Sequence, residues 1–565
     1  MIKVKRAYAV FIVLCILLTF APVSAFAQSA GGVCGENVNW SYDFDGHLSI
    51  SGTGYMRPYT QASEAPWYRF SDELVSVSIE PGVKSIGDYA FFWCDKITSA
   101  AIPSSVTSIG SYAFYSCKAL TGMEIPDGTT SIGDHAFANC GALTSVSIPG
   151  SVTSIGDCAF DYCTELTSVE IPESVKIIGE RAFYLCGKLE DITINGAAAS
   201  IGNSAFESTA YYYDDSKWEN GVLYIGKCLI AANQDISGEC IVKSETKTIA
   251  DYAFFACENL TYIMLPDGIE HIGDHAFNSC KALTGMEIPD SVMSIGSYAF
   301  YSCIGLTDIS VDEGNIAYCS ENGILYNKTK TEIIRFPSKK SDASFAIPDG
   351  ITSIADGAFS NCRNLTSITI PNGVKNIGND AFSICFGLTS VTIPDGVTSI
   401  GSSAFYNCFD VDSITGAVTG LTSVTIPNSV ESIGKYAFLN CKKLNKVNYI
   451  GSKDDWKNII KGEKYSIADN IIKYCAGIKV IRYDAEAIVV EPLNIDTGKT
   501  VVLALYDVDK FVEMQQSGEY SETNKEIIFI PTKAYTRAKV MIWEKLESMI
   551  PVCGIKTVKY GAISR

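Results

Sequence analysis

The sequence predicts a mainly β solenoid, a stack of short coils that repeats every 23 residues. The dipeptide Ala-Phe occurs thirteen times in phase between residues 90 and 438, and most successive copies are 23 residues apart. An isoleucine stands four residues before the alanine in every copy. A cysteine stands four residues after it in every copy but one, which has Thr209 instead. Three positions that stay in phase over so many copies indicate a repeat array.

Composition excludes several classes of protein. The chain has 565 residues, is 47% hydrophobic and carries a formal charge of −19. So acidic a surface argues against nonspecific binding to nucleic acid or anionic lipid, where clustered lysine and arginine are needed. Only four histidines are present, and no HExxH, paired CxxC or complete Walker sequence GxxxxGK[S/T] occurs. A metalloprotease, a zinc finger and a P-loop NTPase are therefore not expected.

Residues 1–27 have the layout of a secretory signal peptide. A basic start precedes an apolar run from Ala7 to Phe20, and the small-residue site Ala25-Phe26-Ala27 follows. We expect cleavage after Ala27, and no second apolar stretch of spanning length follows. The sequence therefore predicts a mature chain that is secreted or held at the cell surface without an integral membrane segment.

Residues 28–71 are expected to form a β-rich cap on the first coil. Apolar residues alternate with polar ones on either side of Asp45-Gly46, namely Trp40, Tyr42, Phe44, Leu48 and Ile50. A solenoid needs such a cap because an open coil exposes strand edges and core to solvent.

Residues 72–445 carry the repeat, and one unit, residues 143–163, reads LTSVSIPGSVTSIGDCAFDYC. The β-branched SVSI predicts a short strand, and the following Pro-Gly predicts a turn. Ser-Ile-Gly begins the return, and the segment around Ala-Phe is a turn or a short helix whose phenylalanine fills the middle. One coil cannot bury these apolar residues alone, so strands about 4.8 Å apart should stack into a parallel ladder.

Two irregular units, near residues 207–247 and 306–350, interrupt the repeat. The segments 220–230 and 322–334 both begin Asn-Gly and continue with apolar residues, so each predicts a β-hairpin. The second hairpin is expected to turn at Lys328-Thr329-Lys330. Addition of a hairpin to the stack accounts for the longer spacing without unfolding the array.

The pattern IPxxVxSIGxxAFxxCxxLTSV resembles the BspA-type leucine-rich repeat of bacterial surface and secreted proteins, over about residues 72–450. The opening CGENVNWSYDFDGHLSISGTGYM and the closing YIGSKDDWKNI are similar to segments that flank such arrays. The resemblance implies a right-handed leucine-rich-repeat solenoid and a role in adhesion or host-protein binding. It implies no conserved active site.

The C-terminal part departs from the repeat. Residues 446–479, with Trp456, Ile459 and Ile460, are expected to close the solenoid. Residues 480–565 predict a small β-sandwich, because strand-like runs replace the repeat. YTRAKVMIWEKLESMIPVC resembles the last part of small β-sandwich modules appended to clostridial-type extracellular proteins.

Twelve of the twenty cysteines belong to the repeat: Cys94, Cys117, Cys140, Cys163, Cys186, Cys257, Cys280, Cys303, Cys362, Cys385, Cys408 and Cys441. Stacked neighbours would have parallel Cβ vectors about 4.8 Å apart, whereas a disulfide needs converging Cβ atoms about 3.8 Å apart. The ladder therefore predicts buried free thiols and offers no metal cage. Cys228 and Cys240 flank one hairpin, where they could form a disulfide or stay free. No cofactor is expected.

The candidate ligand-binding residues lie on two surfaces. The adjacent tyrosines Tyr211, Tyr212 and Tyr213 suit contact with protein or sugar, or alternate rings pack on the stack. The strand positions on either side of each central Val or Ile should form an open sheet face. That face includes Glu170, Asp191 and Tyr262. His135 and His275 share one repeat position, directly before Ala-Phe, which is expected to be an outward slot without a catalytic role.

Three hypotheses for function follow. The first is a noncatalytic exported bacterial protein that binds or adheres to host extracellular-matrix proteins, host surface proteins or other microbial surface proteins. The second is a glycan-binding or glycan-degrading surface protein, and the third is a structural spacer. The sequence contains no Ser-His-Asp arrangement or convergent carboxylate pair, so we do not expect an enzyme.

Overall fold

The computed structural model describes residues 30–411 and 418–462. Beyond them it describes residues 467–468, 471–474, 477–483, 488–493, 500–507, 510–519, 527–529, 537–543 and 551–559. The predicted signal peptide and its cleavage after Ala27 lie outside the described residues. The chain divides into two compact units, residues 1–230 and 231–565.

The described residues of the first unit form short strands, one helical turn and three 3-10 turns. Its strands are β1 (Ala30–Gly35), β2 (Val38–Tyr42), β3 (His47–Gly52), β4 (Gly54–Tyr55), β5 (Ser76–Ile79), β6 (Val83–Ile86), β7 (Ser99–Ala101), β8 (Ser108–Ile109), β9 (Gly122–Glu124), β10 (Ser131–Ile132), β11 (Ser145–Ser147), β12 (Ser154–Ile155), β13 (Ser168–Ile171), β14 (Ile177–Ile178), β15 (Asp191–Ile194), β16 (Ser200–Ile201), β17 (Trp218–Glu219), β18 (Val222–Ile225) and β19 (Cys228–Ala232), which extends past the division. The helix is α1 (Ala210–Tyr213), and the 3-10 turns are Ala62–Glu64, Tyr68–Phe70 and Asp215–Lys217.

The second unit continues the same architecture. Its strands are β20 (Ser237–Ile241), β21 (Thr248–Ile249), β22 (Asn259–Met264), β23 (His271–Ile272), β24 (Gly285–Ile288), β25 (Ser294–Ile295), β26 (Asp308–Val311), β27 (Tyr318–Glu321), β28 (Ile324–Asn327), β29 (Glu332–Arg335), β30 (Ser344–Ala346), β31 (Ser353–Ile354), β32 (Ser367–Thr369), β33 (Asn376–Ile377), β34 (Ser390–Thr392), β35 (Ser399–Ile400), β36 (Phe409–Val411), β37 (Val418–Gly420), β38 (Ser423–Pro427), β39 (Ser432–Ile433), β40 (Lys446–Ile450), β41 (Ile460–Lys461), β42 (Ile472–Tyr474), β43 (Gly477–Tyr483), β44 (Ile488–Leu493), β45 (Thr500–Asp507), β46 (Lys510–Glu519), β47 (Ile527–Phe529), β48 (Arg537–Trp543) and β49 (Pro551–Lys559). The helix is α2 (Lys453–Asn458).

Each coil contributes to two parallel ladders, which confirms the mainly β solenoid. In the first unit β9, β11, β13 and β15 form one ladder, in which Val146 lies opposite Met123 one repeat earlier. The Ser-Ile segments of five coils join β4 and β14 in a second ladder of seven strands, in which Ile132 lies opposite Ile155. The sequence predicts the first ladder. It does not predict the second ladder, because the Ser-Ile strand at the beginning of the return has only two residues and is too short to show a strand period.

The Ala-Phe segment is a turn held by left-handed residues. In all thirteen copies the residue before the alanine and the residue before the cysteine position have positive φ, for example 55° at His135 and 60° at Asn139. A short helix is excluded there because these residues lie in the left-handed region. Ile384 adopts φ 60° despite its branched Cβ, so the turn imposes this conformation against the preference of the side chain.

These turns are joined by backbone hydrogen bonds between coils. The N–H of Tyr112 donates to Asp134 O at 2.8 Å, that of Phe114 to Ala136 O at 2.7 Å, and that of Ser116 to Ala138 O at 2.8 Å. Three alternate N–H groups of one turn therefore find their acceptors on alternate residues of the next turn, 22 residues later. We call this set of bonds the turn ladder.

Phenylalanine rings and cysteine thiols fill the core beneath the turn ladder. Phe160 is fully buried, and its ring stacks on those of Phe137 and Phe183 at 5.3 and 5.1 Å. The thiol of Cys186 donates to Phe160 O at 3.1 Å, and the same contact recurs along the stack. The twelve repeat cysteines are buried free thiols, as predicted, and the contact also makes most of them hydrogen-bond donors.

The structure also shows the state of two cysteines outside the repeat positions. Cys228 and Cys240 are both free thiols, so of the two alternatives that the sequence leaves open, the disulfide does not form.

The ends of the array carry large aromatic residues. Trp67 is fully buried, donates from Nε1 to Ala90 O at 2.7 Å and stacks on Phe91 at 5.7 Å. Near the other end, α2 begins with a capping box between Ser452 and Asp455, and it buries Trp456. Beyond it, β43–β49 form two antiparallel sheets. The β-sandwich remains a prediction.

The second irregular unit contains one more strand than expected. β28 and β29 form the hairpin predicted to turn near Lys330. β27 also pairs with β28 through a turn at Asn322-Gly323, where φ is 51° and 75°. Asn-Gly with two positive φ values is typical of a type I′ turn, so this dipeptide is the turn of a β27–β28 hairpin. β28 is therefore shared by this hairpin and the predicted one.

Replacement of Phe160 by alanine should destabilise the first unit by about 3–5 kcal/mol, because it leaves a cavity between two stacked rings. Glu165→Ala is the control. Its ion pair with Lys188, at 2.6 Å, is exposed and contributes less than about 1 kcal/mol. Thermal unfolding of both variants measures the difference, and equal shifts would contradict the assignment of Phe160 to the core.

The repeat thiols should resist alkylation in the folded protein. Burial raises the pKa of Cys140 to about 12, and that of the half-buried Cys158 to about 11. Since the thiolate is the nucleophile, iodoacetamide at pH 8 should modify neither until the chain is unfolded, when both should react. Mass spectrometry after each treatment gives the answer. Disulfides between successive positions, such as Cys117 and Cys140, would refute the ladder geometry.

Candidate functional site

The outward side chains of β9, β11, β13 and β15 form a continuous surface, which we call the strand face. Its members are Gly122, Glu124, Ser145, Ser147, Ser168, Glu170, Asp191 and Thr193, all of them exposed. The residues that alternate with them, such as Val146 and Val169, are buried, as the period of two predicts. The register places Ser168 opposite Asp191 and Glu170 opposite Thr193. The structure therefore brings the predicted site residues Glu170 and Asp191 onto neighbouring strands.

A shallow cavity of about 550 Å³ lies on the strand face. Ser147, Glu170, Asp191 and Thr193 line it, and so do Gly150 and Pro172 from the adjoining turns. Asn195 donates from Nδ2 to Glu170 Oε1 at 2.7 Å, which holds this carboxylate in place. Sequence reasoning missed the turn residues and Asn195, because the alternation of side chains marks only the strands.

The strand face of the first unit is acidic. Its charged side chains are Glu124, Glu170 and Asp191, and the four described strands that form it contain neither lysine nor arginine. Adjacent strands lie about 4.8 Å apart, so the carboxylates on β13 and β15 reinforce each other's field. Such a surface favours a basic partner.

In the second unit, the corresponding surface on β20, β22 and β24 is partly apolar. Ile241 and Met264 are exposed, beside Tyr262, Glu239 and Glu287. Desolvation raises the pKa of the Tyr262 phenol, and the neighbouring carboxylate of Glu287 raises it further. Tyr262 therefore stays protonated and is available as a donor. A tyrosine surrounded by apolar and acidic side chains is typical of a protein-contact surface.

The three adjacent tyrosines occupy α1 and have different environments. Tyr211 donates from its hydroxyl to Tyr224 O at 2.9 Å, and the Tyr212 ring packs edge-on against Trp218 at 5.3 Å. Tyr213 is 70% exposed. Two of the rings therefore hold the hairpin against the stack, and Tyr213 remains the accessible one.

A row of stacked rings lies outside the core at the position before Ala-Phe. Tyr89 stacks on Tyr112 at 4.8 Å, and Tyr112 stacks on His135 at 4.5 Å. His135 is therefore half-buried in a stack and is not a free surface side chain. Burial lowers its pKa, so the imidazole is neutral at physiological pH. The 23-residue spacing of these aromatic residues could have revealed the row.

In the second unit, a polar contact spans two coils. The Tyr298 hydroxyl donates to Asp380 Oδ2 at 3.3 Å, past Gly357, which has no side chain at this repeat position. Burial raises the pKa of Asp380 to about 6, although the hydrogen bond from Tyr298 opposes the rise. The carboxylate of Asp356 raises the pKa further. This carboxyl group therefore changes charge close to neutral pH.

The repeat identifies the family. The model of the BspA type leucine rich repeat region, with six copies, matches residues 69–227, 233–343, 335–417 and 417–461. These matches cover more than half of the chain, so the protein belongs to this family, which is associated with bacterial surfaces. Leucine-rich repeat proteins are typically noncatalytic.

Several solved structures are similar to this chain. A leucine-rich repeat protein from Eubacterium ventriosum is 22% identical over 77% of this chain and 85% of its own, with a TM-score of 0.31. A leucine rich cell surface protein from Faecalibacterium prausnitzii is 26% identical over 76% and 97%, with a TM-score of 0.32. A leucine-rich repeat protein from Bacteroides ovatus is 25% identical over 78% of this chain and 99% of its own, with a TM-score of 0.29. These TM-scores are below 0.5, so the assignment of the chain to its family rests on the match between its repeat and the family model. No curated protein matches the chain.

Two features are absent from the described residues. No helix among them is long and apolar enough to cross a membrane. Within the same part of the chain, no group of three or more His, Cys, Asp or Glu side chains is placed to hold a metal ion.

Replacement of Asp380 by asparagine should change how stability depends on pH. The carboxyl group has a pKa of about 6 in the fold and about 3.9 when unfolded, so the folded state binds the extra proton between these values. The unmodified chain should therefore lose stability as pH rises from 4 to 7, by about 1 kcal/mol after solvent screening. Asp380→Asn should remove that loss. Chemical unfolding at pH 4 and 7 measures it, and identical profiles for the two proteins would contradict the raised pKa.

Proposed function

We propose that this chain is a noncatalytic binding protein, exported to the bacterial surface, whose strand face contacts a basic patch on another protein. The observation that carries this proposal is the cluster of exposed carboxylates around the cavity of the strand face. Glu170 and Asp191 project from neighbouring strands, and no cation on the same four described strands balances them. The predicted signal peptide and the surface association of the family support the location.

The size of the strand face supports a protein partner that covers more than the four strands. Three-residue strands about 3.3 Å per residue and 4.8 Å apart give an area about 10 by 19 Å. A stable protein interface buries about 800 Å² on each partner. The partner must therefore also cover adjoining turns, such as those at Gly150 and Pro172.

The chemistry of the strand face supports binding without catalysis. Its titratable side chains are the carboxylates of Glu124, Glu170 and Asp191, and it carries no histidine, cysteine or lysine among its described residues. Acid–base catalysis by carboxylates needs two groups with separated pKa values that converge on one substrate position. Of these three carboxylates, Glu170 already accepts a hydrogen bond from the side chain of Asn195, which directly follows β15. We therefore assign the face a recognition role.

The test is a screen of the full chain against immobilised matrix proteins, bacterial surface proteins and glycans, followed by charge reversal. The double variant Glu170→Lys and Asp191→Lys should weaken binding of a protein found in the screen at least tenfold, or about 1.4 kcal/mol, because it repels a basic partner. The matched control is Asp72→Lys and Glu180→Lys, which makes the same charge change on exposed residues outside the strand face and the turns at Gly150 and Pro172, and should alter Kd less than twofold. Equal Kd values for both variants would refute the strand face as the site, and binding of glycans alone would refute a protein partner.

A further inference from the structure

The turn ladder is broken once inside the second unit. In the coil at residues 248–257, the N–H groups of Tyr252, Phe254 and Ala256 donate to carbonyls of the next turn at 2.9, 2.8 and 2.9 Å. Two coils later the equivalent donors are the N–H groups of Tyr298, Phe300 and Ser302. No described residue accepts a hydrogen bond from any of these three groups.

The irregular unit explains this break. The next position in the stack is occupied by β29 and Phe336, whose N–H donates to Ala358 O at 2.8 Å. The buried guanidinium of Arg335 donates to Gly357 O at 2.5 Å and to Ser360 O at 3.2 Å. The segment of β29 and Arg335 thus donates hydrogen bonds to carbonyls of the coil that follows it. It supplies no acceptors to the turn that precedes it.

A cavity of about 660 Å³ occupies the break. Tyr298 and Phe300 line it on the side of the unpaired N–H groups, and Asp356 and Gly357 line it on the other side. Its volume is within the range of ligand-binding sites. The cavity therefore lies where a complete coil would have supplied the missing carbonyls.

The edge of a strand also faces this cavity. β25 pairs with β23 and ends its sheet among the described strands. The N–H of Ile295 in β25 donates to the Tyr318 hydroxyl at 2.8 Å instead of to a neighbouring strand, and both residues line the cavity. Such an edge is a template for an extended peptide.

The charge of the cavity wall favours a basic occupant. Glu332 and Asp356 contribute carboxylates. Arg335 is the only cation in the described wall, and both of its Nη atoms are committed to bonds with Ser338, Gly357 and Ser360. Its Nε has no hydrogen-bond partner among the described residues, but the two carboxylates outnumber this one cation, so the wall is acidic and disfavours an anionic ligand.

We propose that this cavity binds an extended segment of about five or six residues from a partner protein, containing lysine or arginine. Alternate carbonyls of the segment would accept from the N–H groups of Tyr298 and Phe300, which line the cavity, as alternate carbonyls do in the unbroken coils. A basic side chain of the segment pairs with Glu332 or Asp356. This site lies in the second unit and is independent of the strand face of the first unit.

The probe is a fluorescein-labelled hexapeptide with blocked termini, Gly-Lys-Val-Lys-Val-Gly, and its counterpart with glutamate in place of lysine. Fluorescence anisotropy with the full chain should show that the lysine peptide binds at least tenfold more tightly. Ser297→Trp, at the mouth of the cavity, should abolish that binding. Ser402→Trp is the matched control. Both serines follow the glycine of an Ile-Gly pair, and the backbone N–H of each donates to an Asp or Asn side chain one repeat earlier. This control should bind as the unmodified chain does.

Amide hydrogen exchange reports on the three donors directly. Without peptide, the amides of residues 298, 300 and 302 should exchange at least tenfold faster than those of residues 252, 254 and 256, and the lysine peptide should slow exchange at residues 298 and 300. Equal protection without peptide would overturn the proposal. Failure of the lysine peptide to bind, or binding that survives Ser297→Trp, would also overturn it. Binding of maltotriose that is lost in Ser297→Trp would assign the cavity to glycans instead. The variant Glu170→Lys and Asp191→Lys should leave peptide binding unchanged, which separates this result from the proposed function.

Discussion

The structure depends on one constraint, which is that three alternate backbone N–H groups of a regular Ala-Phe turn find their acceptors only in the next coil. The turn is too tight to satisfy them internally, and a buried unpaired N–H costs about 1–3 kcal/mol. The left-handed residues before the alanine and before the cysteine are accepted at every copy because the ladder requires that backbone path. The glycine of Ser-Ile-Gly follows from the same close stacking. A Cβ on Gly133 would lie 2.6 Å from the backbone of Gly110 and Ser111.

The same constraint explains the cysteine of the repeat. The carbonyl of most buried phenylalanines accepts from the cysteine N–H of its own turn, and it has room for a second donor. The thiol one coil later fills that place, at 3.1 Å for Cys186 and Phe160. A cysteine is small and apolar enough for the core and still offers a weak donor, which alanine or valine cannot do. Because the thiol is buried and its pKa is raised, it stays unreactive.

Binding can vary without disturbing this scaffold, because the outward side chains of the strands take no part in the core or in the turn ladder. The inward residues repeat with little change, whereas the outward ones vary from Ser147 to Glu170 and Asp191 in the first unit, and to Tyr262 and Met264 in the second. A regular coil thus presents a surface that changes along the array. Where the array is irregular, as at Arg335, the ladder itself is incomplete and backbone donors become available to a ligand.

The sequence alone determined the solenoid, its 23-residue period, the buried phenylalanines and cysteines, and the outward positions of Glu170 and Asp191. Each of these is local or periodic, so each shows in the spacing of residues. It did not reveal the second ladder, since a two-residue Ser-Ile strand has no pattern of its own. Nor did it reveal the stack of Tyr89, Tyr112 and His135, or the cavity between Phe300 and Gly357. Only the tertiary structure decided these, because they depend on which coil lies against which, and an irregular unit changes that neighbour without altering the repeat on either side of it.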